Sequence, residues 1–250
     1  MQSGKSKIHL STITLLVILI NGFSTYGQIS SEISLYNWFD NIVGKENLAI
    51  NNGALHIYPY KTIDKSDSYY ITDKFSKGNV SYDGQVYYDV NLKYDIYRDL
   101  LVLKPNSAYD YMGLNLTQEK TDSFLIHGKN FVNLSNLKSP KPEFINGYYE
   151  ECVIGKTYIF YIKHHKDRRE FINVKTVYDV FEEDNEYVLY HKNTFQKVSS
   201  KKDIRTIFPE YKNQINEFYL MNQKMERLDK KQFMENLMKY INNFLQNGSN

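Results

Sequence analysis

The chain has 250 residues, with 31 Lys and Arg against 29 Asp and Glu, and one cysteine, Cys152. This near-neutral balance excludes the concentrated cationic surface that nucleic-acid binding needs, and a lone cysteine excludes an internal disulfide. With 42% hydrophobic residues, 23 Tyr and 14 Phe, the chain can bury a sizeable core as one large or two small domains.

The N-terminus carries Lys5 and Lys7 without an acid, then the apolar run Ile13–Ile20 and the small residues Ser24, Thr25 and Gly27. That order is the signature of a cleavable export signal, residues 1–27, with Gln28 as the expected mature start. The apolar run is too short for a bilayer-spanning helix, so no integral span is expected after cleavage. Losing Lys5 and Lys7 leaves 29 basic against 29 acidic side chains, a mature net charge near zero.

Between Ser31 and Val43, apolar residues at 35, 38, 39, 42 and 43 have helical spacing and predict a short N-terminal helix. The region 28–198 otherwise reads as β-rich. Asp83-Gly84 between β-forming segments is a hairpin turn, and 85–96 alternates with period two. The alternation points Val86, Tyr88 and Val90 inward and Tyr87 outward. A second hairpin is expected around Gly128-Lys129. Ser139-Pro-Lys-Pro142 is a candidate break between subdomains, or a long turn. Strands are expected over 147–154, 156–164, 171–177, 186–191 and 195–198, with an acidic turn at 182–185.

From 199 to 246 the pattern becomes helical. Ser199 or Ser200 caps a helix before Asp203, Pro209 interrupts it, and Phe233, Leu237, Tyr240, Ile241 and Phe244 line one face of a final helix. The expected fold is α+β: a mainly antiparallel sheet of hairpins, curved or barrel-like, with a short N-terminal helix and two to three C-terminal helices packed on it.

No motif assigns chemistry. His164-His165 is the most tempting pair, but neighbours on a strand point to opposite faces and rarely share a metal. No metal site and no cofactor is expected. Glu150-Glu151 likewise do not face each other as glycosidase acids must. Cys152 lies in an expected strand and reads as a small buried hydrophobe. Tyr87, His164 and His165 are the weak ligand-binding candidates, Tyr87 because an outward ring can stack on a sugar; the catalytic residues are unassigned.

The export signal, the run Gly78–Asp95 (GNVSYDGQVYYDVNLKYD) and the Ile204–Phe208 segment before Pro209 together resemble uncharacterised exported proteins of the Bacteroidetes. The resemblance implies the periplasm or cell envelope of a Gram-negative cell and carries no activity or site residue; the export signal also allows release outside the cell. The sequence expectation is therefore a non-enzymatic, β-rich envelope protein that binds an envelope protein or glycan. The alternatives are a hydrolase of an extracytoplasmic polymer and a glycan-binding module.

Overall fold

The computed structural model describes residues 33–38, 42, 44, 48–63, 66–105, 112–173 and 175–247. The expected export signal lies outside them. Residues up to Leu48 form one unit and Ala49 onward another. In the first, residues 33–38 are helical, within the span that apolar spacing predicts.

The second unit is α+β and is built on one antiparallel sheet of 11 strands. In chain order its strands are β1 (Ala54–Leu55), β2 (Ser76–Tyr82), β3 (Gln85–Asp95), β4 (Leu100–Lys104), β5 (Leu114–Asn115), β6 (Thr121–Ile126), β7 (Lys129–Asn133), β8 (Tyr148–Ile154), β9 (Tyr158–Lys163), β12 (Glu186–His191) and β13 (Thr194–Lys197). Their spatial order is β1-β5-β4-β3-β2-β6-β7-β8-β9-β12-β13. The sheet is open, with β1 and β13 at its edges, and does not close into a barrel. A separate two-stranded ribbon, β10 (Lys166–Asn173) with β11 (Thr176–Glu183), is inserted between β9 and β12.

The tight hairpins follow from turn chemistry. Asp83 and Gly84 (φ 54° and 78°), and His127 and Gly128 (φ 51° and 72°), adopt the left-handed conformations that two-residue turns require. Ser139–Pro142 falls in the connection between β7 and β8, which pair directly.

Three expectations are corrected. The 85–96 alternation is not continuous: β2–β3 pairing shifts between Gly78 and Val80, opposite Val90 and Tyr87, and Asp89 there has φ 54°. One extra residue reverses which face every preceding side chain occupies. Tyr87 therefore points inward and is 2% exposed, while Leu92 and Tyr94 beyond the bulge are also buried. The expected strand 171–177 is instead the tip of the β10–β11 ribbon, spanning parts of both strands. The C-terminal region holds four α-helices rather than two or three.

Those helices are α1 (Lys201–Ile207), α2 (Lys212–Met221), α3 (Gln223–Leu228) and α4 (Lys230–Asn247). Ser200 caps α1 in a reciprocal capping box with Asp203. Pro209 opens a 3-10 turn before α2. Helix α4 buries Phe233, Met234, Leu237, Met238 and Ile241 along one stripe. These pack with α1 and α2 on Val153, Tyr158, Phe160, Ile162, Tyr187 and Leu189 of the sheet. Each such side chain contributes about 2 kcal/mol by leaving water. The alternate residues Tyr149, Tyr161 and Val188 join Leu134, Ile145 and Phe195 in a second apolar layer, so β8, β9 and β12 have buried side chains on both faces. No helix among the described residues is long and apolar enough to cross a membrane.

Candidate functional site

Two polar regions stand out, one sealed and one open. The sealed one brings together residues that the sequence singles out. His164 follows β9 and is 3% exposed; its Nε2 lies 2.6 Å from Oε2 of Glu150, which is 1% exposed. Lys129 Nζ stands 2.7 Å from the other carboxylate oxygen, an ion-pair distance without hydrogen-bond alignment. Tyr70 and Phe131 close over the imidazole, with ring centroids 4.6 and 5.7 Å away. Burial pushes the Glu150 carboxyl up, but His164 and Lys129 outweigh it and hold the group below the usual glutamate range.

Next to this pair, one ligand atom each of Glu150, Cys152 and Glu235 lie within 4.8 Å of one another. Glu150 already has His164 and Lys129 as partners. Burial, with the Glu235 and Glu150 charges, pushes the Cys152 thiol up to about 12, so the sulfur stays protonated at neutral pH. This grouping is a closed core network.

His165, beside it in the short connection between β9 and β10, makes separate contacts. Its Nδ1 is 3.2 Å from the Ile96 carbonyl, and its ring stacks at 6.3 Å on Tyr97. Glu151 also leaves its neighbour, accepting a 2.6 Å hydrogen bond from Asn130. Thus Glu150 and His164 are brought together, whereas His165, Glu151 and Tyr87 are not part of the pair.

The open region is a cleft of about 720 Å³ over the β3–β4 end of the sheet, lined among others by Tyr58, Tyr69, Phe75, Asn91, Lys93 and Asp73. Pockets of about 300–1,000 Å³ suit small ligands. Its wall depends on the turn after β3. Buried Asp95 accepts from the backbone N–H groups of Tyr97 and Arg98 and from Arg98 Nε at 2.8 Å. Arg98 Nη1 in turn donates to the Ile57 carbonyl, which fixes the chain entering the cleft.

Behind the wall, Arg98 Nη2 and the Tyr69 hydroxyl approach His56 Nε2 at 3.4 and 2.8 Å, while Nδ1 lies 2.7 Å from Asn115 Oδ1. Two donors aimed at Nε2 require it to accept, so the ring is neutral with its proton on Nδ1. Burial lowers the His56 pKa, the Arg98 and Lys93 charges add to this, and the Asn115 hydrogen bond only partly opposes it.

Tyr58 stacks on Tyr69 at 5.3 Å. Lys93 Nζ sits 4.4 Å from the Tyr69 ring centroid and 4.8 Å from that of Phe75. Burial lowers the Lys93 pKa, with Asp73 and Asp95 opposing. Asp67 is engaged by the Tyr69 backbone N–H and by Lys166. A second ring cluster adjoins this wall: Tyr60 meets Phe181 and Tyr97, and Arg168 stands over Tyr60. None of the ligand-binding candidates Tyr87, His164 and His165 lines the cleft. The residues that form it are spread from 58 to 104 and have no shared spacing.

No protein-family model matches the chain, and no curated protein sequence and no solved structure is significantly similar to it.

Proposed function

We propose that this chain is an exported, non-enzymatic binding protein that recognises another component of the cell envelope through the Tyr58–Lys93 cleft. The observation that carries the reading is the Lys93 ammonium, held between two aromatic rings at the wall of an open cleft. Aromatic anchors with a few oriented polar groups are the anatomy of a recognition site. The export signal at residues 1–27 supports the envelope as its place of action.

The hydrolase alternative draws on His164, His165 and the Glu150-Glu151 pair; Glu150 and His164 are 1% and 3% exposed, while His165 and Glu151 bond elsewhere, to the Ile96 carbonyl and to Asn130, so the four do not gather in one open pocket. The expected test is cross-linking in the native cell followed by fractionation and pull-down. A reproducible envelope component, captured by the wild type and lost from Lys93→Gln with Tyr58→Ala, supports the reading. Capture unchanged by the double substitution overturns the cleft assignment.

A further inference from the structure

We infer that the cleft takes an acidic saccharide, a sugar ring bearing a carboxylate, with the acid seated on Lys93 and the ring lying on Phe75 and Tyr58. This rests on the proposed binding role of the cleft and names its ligand class.

The inference starts from an unbalanced charge. Lys93 is half-buried, yet among the described residues no carboxylate lies within ion-pair distance of its ammonium. Burying a charge without a counter-ion is costly, and two aromatic faces compensate only in part. Its carboxylate neighbours do not fill the gap. Asp95 is committed to Arg98, and Asp67 to Lys166 and the Tyr69 backbone. Asp73 is exposed at the rim. Lys74 also lines the cleft, so a ligand meets the Lys93 and Lys74 ammonium groups beside the rim carboxylate of Asp73.

The rest of the lining selects the body of the ligand. Phe75 and Tyr58 are partly exposed rings that can cover the apolar C–H face of a sugar. Asn91 and Asp73 lie in the same cleft and offer hydrogen-bonding partners for hydroxyl groups. An inorganic anion would use the lysines and leave the rings idle. A neutral sugar would use the rings and leave Lys93 uncompensated. A carboxylated sugar uses both.

The test is titration calorimetry on the mature chain with a galacturonic-acid oligosaccharide, its neutral galactose counterpart and inorganic phosphate. Wild type is compared with Lys93→Gln, Tyr58→Ala and the distant surface variant Lys224→Gln. The expected result is that the acidic oligosaccharide binds at least ~10-fold tighter than the neutral one, the scale of one charge-assisted hydrogen bond. Lys93→Gln removes that preference, Tyr58→Ala weakens both sugars, and Lys224→Gln changes neither. Circular dichroism confirms that each variant is folded. Equal affinity for the two sugars overturns the acid assignment but leaves a binding cleft. Phosphate binding as tight as the acidic sugar overturns the role of the rings. No binding by any probe overturns the ligand class, while cross-linked capture that still depends on Lys93 keeps the cleft as the binding surface.

Discussion

Glu150 Oε2 and His164 Nε2 meet 2.6 Å apart in a part of the core that water does not reach. Removing one partner of such a pair leaves the other buried without compensation. Glu150→Gln is expected to cost about 3 kcal/mol at neutral pH. The Glu150 carboxyl is held below its ordinary value, so its contribution is complete above about 4.5 and is lost as pH falls through the lower folded value. Urea unfolding at pH 7 and pH 3 checks this: the gap between wild type and variant narrows in acid. A gap of the same size at both pH values would refute the assignment.

Gly147 is fixed by a close approach. Its φ is 65°, and a Cβ there would fall 1.7 Å from Asp99 Oδ2. Asp99 cannot yield, because it accepts from Lys163 at 2.6 Å and from the Tyr94 hydroxyl at 2.5 Å. Gly147→Ala is expected to lose about 3 kcal/mol through backbone strain and the broken Asp99 centre. Thermal melts followed by circular dichroism measure the loss, and an unchanged midpoint contradicts it.

The bulge at Asp89 makes Tyr87 a core residue. Tyr87→Ala is expected to lower stability by about 3 kcal/mol, and not to act as the loss of an exposed sugar platform. Chemical denaturation of the variant decides, since a surface ring would cost less than about 0.5 kcal/mol.

The α1 cap is a local test. Ser200→Ala removes the acceptor for the Asp203 backbone N–H and should cost about 1 kcal/mol. Asp203→Asn should show a related loss that disappears in acid. Burial raises the Asp203 carboxyl, but hydrogen bonds from Ser199 and Ser200 outweigh this and hold it below its usual range. That stabilisation is present above about 3.8 and fades as pH falls. Urea titrations of both variants across that range provide the check.

The elements that sequence foretold are those with local causes. Asp83-Gly84 specifies its own turn, Ser200 with Asp203 specifies a helix start, and Phe233, Leu237 and Ile241 repeat at helical spacing. The Asp89 bulge was hidden because the hydrophobic pattern runs through it without a gap. The β10–β11 ribbon was half-missed because Lys166–Glu170 is charged and carries no apolar alternation, while its turn has no glycine. The Glu150–His164 contact depends on β8 and β9 lying side by side, so the sequence could set aside the neighbour pairs His164-His165 and Glu150-Glu151 but not name this one. The cleft was invisible for the same reason: Lys93 meets Tyr69 and Phe75 only because residues 66–75 return alongside β3.

The place of β2 has a consequence for how the molecule is assembled. From β2 the sheet runs one way through β3, β4, β5 and β1, and the other way through β6, β7, β8, β9, β12 and β13. Along each arm most partners are consecutive in the chain, so each can zip from short loops at little entropic cost. Joining the arms requires Ser76–Tyr82 to find Thr121–Ile126 across an intervening hairpin and loop. That seam is one of three pairings in the sheet between strands not consecutive in the chain, with β1–β5 and β9–β12, and the loop-closure cost of the sheet is concentrated in these three.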